Sequence, residues 1–252
     1  MTSKSGHVGH DALTRIRVVS WNTEWRRPDS RDGKEILKRL QDLDADIICL
    51  TETHFDMFSG WPGAVVDGGP NPFNVKEPSR RTVLLWTRSR WSETARKGGS
   101  QMRVGCFVRG ETSTSDGPAT VVGVVIPYHM SDVRYGAKNR SIWENHERYL
   151  DDLLQLTPAL PANAMVIGDY NQRLPATFPP PLLREKLLNA LSGMNVTTSG
   201  IVGPDGKRSN DHIACGQAWK CEATGVISNV GDRGGQLSDH FGVWADLVPT
   251  AG

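Results

Sequence analysis

The strongest constraint on the fold is a pair of short apolar runs near the start, separated by one helical stretch. Ile16 to Trp21 is a strand-length run, and Asp46 to Thr51 is a second. Between them Ile36, Leu37, Leu40 and Leu43 recur at helical spacing among charged residues. This reads as strand, helix, strand. Asn22 and Glu52 each follow one of the two strands, so both face one crevice where the strand ends open.

The same style continues along the chain. Thr82 to Thr87, Met102 to Arg109 and Thr120 to Ile126 are expected strands, with Gly110 to Pro118 as a polar turn between the last two. Trp61 to Pro78 reads as loop with short strands. Ile142 to Leu156 is an expected helix with Tyr149, Leu150, Leu153 and Leu154 on one face. Ala164 to Gly168 is a buried strand that ends at Asp169. Pro175 to Pro181 breaks the chain, and Leu182 to Leu191 forms a further helix. Asp211 to Ala214 and Gly242 to Leu247 are late strands. Strand runs with only a few helices imply layered sheets with outer helices rather than an alternating barrel.

The 252 residues suit one large domain or two small ones. Residues 1–14 are expected to form a flexible tail and residues 15–249 a single domain. The formal net charge of +1 excludes a globally basic nucleic-acid binder, so any such binding needs a local patch. The four cysteines form no Cys-x-x-Cys motif, which argues against structural zinc. Cys49 reads as a buried thiol, and a pairing of Cys215 with Cys221 is left open. The start has no secretory apolar core, and no apolar run is long enough to span a bilayer. The expectation is a cytoplasmic monomer without a membrane anchor.

Asn22, Glu52, Asp169 and Asn171 all follow apolar strands, where loops commonly carry function. Ser238-Asp239-His240 precedes the last strand and Asp211 opens another. Phosphodiester cleavage needs a hard cation, an activated water and donors to the phosphoryl oxygens. Magnesium favours carboxylate and water oxygens, often with only one or two protein carboxylates. Glu52 is the first candidate ligand, with Asp239 and Asn22. A histidine held by a carboxylate can stabilise developing negative charge or move a proton, and His240 with Asp211 is the candidate pair.

Six segments together resemble the endonuclease/exonuclease/phosphatase superfamily, whose members include deoxyribonucleases, abasic-site endonucleases, sphingomyelinases, deadenylases and inositol phosphatases. They are Val-Val-Ser-Trp-Asn at Asn22, Ile-Cys-Leu-Thr-Glu at Glu52, Ile-Pro-Tyr-His at His129, Ile-Gly-Asp-Tyr-Asn at Asp169, Asn-Asp-His-Ile at Asp211 and Ser-Asp-His at His240. They occur in the family's order. The resemblance implies an α/β (α+β) fold, a four-layer sandwich of two stacked mixed β-sheets flanked by helices, with the site at one end. It implies Mg²⁺ on Glu52, helped by Asn22 and Asp239, with Mn²⁺ as a substitute. Asp169 would orient or deprotonate the attacking water and Asn171 would hold a phosphate oxygen. His240, supported by Asp211, would contact the scissile phosphate, and His129 would protonate the leaving oxygen.

Each residue also has an ordinary reading: Asn22 as a turn residue, Glu52 and Asp239 as surface carboxylates, His129 as a packed loop histidine. The six in family order outweigh these. Arg26 and Arg173 follow the motifs closely enough to reach substrate phosphate. Arg80, Arg81, Arg88 and Arg90 form either a nucleic-acid-facing patch or a charged strand edge. The segment before Asp211 lacks the Trp-Arg pattern of the abasic-site branch. The expected substrate is therefore a phosphoester, DNA or RNA or a related diester; a phosphomonoester or lipid headgroup, or a non-catalytic binding role, are the alternatives.

Overall fold

A computed structural model describes residues 15–70, 77–135, 139, 141–175 and 177–250. The expected tail over residues 1–14 lies outside the described residues. The strands are β1 (Ile16–Asn22), β2 (Ile47–His54), β3 (Ala64–Asp67), β4 (Arg80–Thr87), β5 (Trp91–Ala95), β6 (Phe107–Thr114), β7 (Gly117–Val125), β8 (Ala164–Asp169), β9 (Asn195–Val196), β10 (Asp211–Cys215), β11 (Trp219–Ile227) and β12 (Gly242–Pro249). The helices are α1 (Arg31–Asp42), α2 (Glu144–Leu156) and α3 (Pro181–Ala190).

Two six-stranded sheets result, ordered β11-β12-β1-β2-β4-β3 and β5-β6-β7-β8-β10-β9. Each has one parallel pair at its centre, β1 with β2 and β7 with β8, and antiparallel neighbours outside it. The two sheets thus share one strand pattern, in which β2 corresponds to β8. A helix bridges each parallel pair, α1 in the first sheet and α2 in the second, as a crossover requires.

The helices form where the sequence supplies both a start and an apolar stripe. The Ser30 hydroxyl accepts the Gly33 N–H at 3.0 Å and caps α1. Ile36 and Leu40 then pack on Val19, Trp21, Ile48 and Leu50 of the first sheet. Each such buried side chain stabilises the fold by about 1.5–3 kcal/mol. Tyr149, Leu150 and Leu153 of α2 join Leu183 and Leu187 of α3 in the larger core, with the second sheet and the space between the sheets. Two stacked mixed sheets with flanking helices agree with the expected sandwich.

Several boundaries differ from the sequence reading. Met102 to Cys106 is loop, and Gly110 to Pro118 is mostly strand, with the reversal confined to Ser115 and Asp116. β6 alternates buried with part-exposed polar residues, which masked its length. β5 and β11 escaped notice for the same reason, since most of their positions are not buried. The helix expected from Ile142 begins at Glu144, because Trp143 takes a left-handed backbone at φ 73°. All four cysteines are free thiols, so Cys215 and Cys221 are not bridged.

One glycine fixes the end of β8. Gly168 has φ 140°, and a Cβ there would lie 2.0 Å from the Val124 carbonyl oxygen of β7. No side chain fits without separating the parallel pair next to Asp169. Gly168→Ala should therefore lower unfolding free energy by at least ~2 kcal/mol in urea titrations. An unchanged midpoint and slope would contradict this reading.

Candidate active site

The ends of β1, β2, β8 and β10 meet at one edge of the sandwich and open into a cleft of ≈ 1150 Å³. Asn22, Glu52, His129, Asp169, Asn171, Arg173, Asp239 and His240 all line it. Asp211 stands directly beneath, fully buried, and pairs across the ladder with Asp169.

Asn22 is the last residue of β1 and Asp169 the last of β8. Asn22 Nδ2 donates to Asp169 Oδ2 at 3.2 Å, a bond that crosses from one sheet to the other. Asn22 Oδ1 accepts the Glu24 N–H at 2.9 Å, which fixes the amide's orientation. Asp169 Oδ1 accepts the Asn171 N–H at 2.8 Å. Asn171 turns with φ 50° and donates Nδ2 to the Ile126 carbonyl at 2.9 Å, leaving its second amide hydrogen for another partner.

Glu52 was expected just after its strand, but it lies within β2. It has φ 46°, and the ladder to β4 runs from Thr51–Val83 to Thr53–Arg81 without a Glu52 pair. The local break aims a carboxylate out of an otherwise regular strand, a recurrent device at functional positions. Burial, then the charge of Asp169, raises the Glu52 carboxyl to about 7. Burial also raises Asp169 to about 6, against the pull of His240.

His240 Nδ1 donates to Asp211 Oδ2 at 2.7 Å. The Ser238 hydroxyl holds this loop by accepting the His240 N–H at 3.1 Å and donating to the Asn22 carbonyl at 2.7 Å. Burial opposes charge on the imidazole, but Asp211 and Asp169 outweigh it and push His240 up to about 10. The ring is therefore a cation at neutral pH, with Nε2–H available as a donor. Asp211 Oδ1 is buried without a hydrogen-bond partner.

Two expected residues stand differently. Arg26 does not line the cleft; its Nε donates to the Leu237 carbonyl at 2.7 Å and it pairs with Glu24 at 3.0 Å. The His129 ring packs on Trp143 and Phe178, with centroids 5.4 and 5.3 Å away. Arg81 and Arg88 are taken up by ion pairs with Asp67 and with Asp44 and Asp46.

The sequence reading gave no site role to Trp25, Gln172 or His146, and left Arg80 open between patch and strand edge. Arg80 lies over the Trp25 ring at 5.0 Å, and both line the cleft. His146 Nδ1 donates to the Pro127 carbonyl at 2.7 Å and Nε2 accepts from Gln172 Nε2 at 2.8 Å. Gln172 lines the cleft and also receives His212 Nε2–H on its carbonyl at 3.0 Å. These buried imidazoles brace the segment that carries Asp169 and Asn171. Gln172 follows the motif directly, but its role depends on contacts 26 and 40 residues away.

With this geometry established, comparisons with known proteins place the chain. The sequence model of the Endonuclease/Exonuclease/phosphatase family matches residues 19–240. The chain belongs to that family, a class of enzymes that hydrolyse phosphoric esters. No curated protein matches the chain. Among solved structures, a humanized D. rerio TDP2 aligns with a TM-score of 0.66 at 13% identity, over 92% of this chain and 98% of that one. The 3'-5' exonuclease NExo from Neisseria Meningitidis aligns with 0.66 at 13% identity, over 91% and 98%. The human Nocturnin catalytic domain aligns with 0.64 at 16% identity, over 94% and 95%. These likenesses show a shared fold.

Burial holds His146 and His212 down to about 4, so both are neutral when folded and take up protons on unfolding. Their contribution to stability is full above about pH 6.5 and is lost as pH falls toward 4, on the order of 3 kcal/mol each. The raised carboxyls of Glu52 and Asp169 act in the opposite sense. The informative quantity is therefore the stability of wild type minus that of a His146→Gln/His212→Gln double variant, followed by urea unfolding from pH 7 to pH 4. That difference should shrink by several kcal/mol; a pH-independent difference would contradict the neutral buried imidazoles.

Proposed function

We propose that this chain is a Mg²⁺-dependent phosphodiesterase, with Mn²⁺ as a substitute, acting on nucleic acid or a related diester. One observation carries the reading. His240, hydrogen-bonded to the buried Asp211 carboxylate at 2.7 Å, shares one cleft with a second buried carboxylate, Asp169, which is held by Asn22 Nδ2 and the Asn171 N–H.

The donor set fits a hard cation. Glu52, Asp239 and the Asn22 amide oxygen are the groups that would hold it, all of them oxygen donors. Burial and a neighbouring carboxylate raise Glu52 to about 7, the signature of negative charge short of a counter-charge. Among the described residues no three His, Cys, Asp or Glu side chains are grouped so as to hold a metal ion, so protein carboxylates alone would supply only part of a coordination shell. Mg²⁺ suits such a site, since it takes one or two carboxylates and keeps waters or substrate oxygens. When bound, the cation supplies Lewis acidity toward a phosphoryl oxygen.

The chain's own groups account for the remaining steps. Asp169, ionised and held by Asn22 and the Asn171 N–H, accepts the proton of the attacking water. His240 Nε2–H and the free hydrogen of the Asn171 amide donate to the phosphoryl oxygens as charge develops there. The attack is in line, opposite the leaving oxygen, and His129 is assigned the proton that oxygen needs. Arg173 is exposed at the cleft rim and is assigned to a flanking phosphate.

Asp169→Asn and His240→Ala should each lower turnover of a chromogenic phosphodiester by at least ~10²-fold with Mg²⁺ present. Near-normal turnover in either variant would remove that residue's role. Glu52→Gln should shift the Mg²⁺ dependence of the rate to higher concentration. A superimposable metal titration would count against Glu52 as a ligand. A wild type that hydrolyses a chromogenic monoester or phospholipid headgroups in preference to every diester would replace the substrate assignment while leaving the centre intact.

A further inference from the structure

One wall of the cleft is unlike the rest. Trp143 and Phe178 lie 5.6 Å apart, and both flank the His129 ring. Phe178 and His129 line the cleft itself. Phe178 is 71% exposed, an unusual state for a large apolar ring beside a charged site. Trp143 holds a left-handed backbone, which bulky residues rarely adopt, and is fixed there by its N–H on the His129 carbonyl at 2.8 Å. The chain therefore spends conformational strain to seat an aromatic cluster at the mouth of the catalytic cleft.

The same cleft also carries cations. Arg134 and Arg173 line it, are exposed, and form no ion pair among the described residues. A cleft with both aromatic rings and cations suits a ligand that is planar at one end and anionic along its length. A nucleotide unit of a polynucleotide has both features, and a base that stacks on a protein ring must first leave its duplex neighbours.

We propose that Phe178, backed by the His129 and Trp143 rings, forms a nucleobase-stacking subsite, so that the substrate of this cleft is single-stranded nucleic acid. The inference rests on the phosphodiesterase reading of the same cleft and names its substrate class. Bases of any identity would be accepted, because every base has a π-face, while the phosphates run toward Arg173 and the His240 donor.

The test is equilibrium binding by fluorescence anisotropy in the Asp169→Asn background with Mg²⁺ present. The probes are a single-stranded oligothymidylate and an oligomer of equal length built of abasic sites. The base-bearing strand should bind roughly tenfold more tightly than the abasic one. Phe178→Ala should abolish that preference and leave abasic binding as it was, while Phe178→Trp should preserve it. Phe178 is exposed, so the substitution spares the core, and circular dichroism checks this. Equal weakening of both oligomers, no change in either, or no binding of either would overturn the proposal. So would tighter binding to phosphatidylcholine/phosphatidylserine vesicles that Phe178→Ala eliminates. Failure of the underlying reading shows separately, as absence of Mg²⁺-dependent diester hydrolysis by the wild type.

Discussion

Two hydrogen bonds tie the sheets together at the cleft: Asn22 Nδ2 to Asp169 Oδ2 at 3.2 Å, and His240 Nδ1 to Asp211 Oδ2 at 2.7 Å. Each joins a residue of the first sheet or its loops to a carboxylate of the second. The first sheet supplies Asn22, Glu52 and the loop with Asp239 and His240. The second supplies Asp169 and Asp211. Neither half contains all of these groups, so the face-to-face stacking of the sheets creates the candidate site. The apolar core between them, including Val18, Cys49, Val83, Val121 and Ile167, sets that stacking and thereby the distances at the rim.

Electrostatics at this rim follow from burial. Asp169 and Asp211 sit side by side in the β8–β10 ladder, nearly or wholly out of water. Such a pair is costly unless a positive group compensates it. His240 is that group, and its proton is held tightly because both carboxylates face it. Glu52 is raised by burial and then by the charge of Asp169, with His240 and an Asn22 hydrogen bond pulling the other way.

Most of the groups that line the cleft were legible from the sequence because they lie at strand ends. An apolar run that stops at Asn22 or Asp169 announces both the strand and the polar residue it delivers. The pairing of His240 with Asp211, rather than with its neighbour Asp239, came from the family resemblance and is the geometry observed. What the sequence concealed depends on tertiary contact. The φ of 46° that turns Glu52 out of β2 has no local signal, since Glu is not a turn residue. Trp143, Phe178 and His129 are far apart in the chain and meet only through the loops that flank α2 and β8. β5 and β11 are edge strands with mostly exposed faces, so neither periodicity nor hydrophobicity marked them. Arg26 was placed by proximity to Asn22, but the chain folds its guanidinium back onto Leu237.

The proposed centre places a divalent cation on the Glu52 side of the cleft, apart from the Asp169–His240 pair. Anomalous scattering from a Mn²⁺-soaked crystal tests this most directly. The account predicts a peak within coordination distance of a Glu52 carboxylate oxygen, about 2.0–2.3 Å for a small hard divalent ion, and its loss in Glu52→Gln. A peak bound to His240 or Asp211 instead, or one that persists at full height in Glu52→Gln, would contradict it.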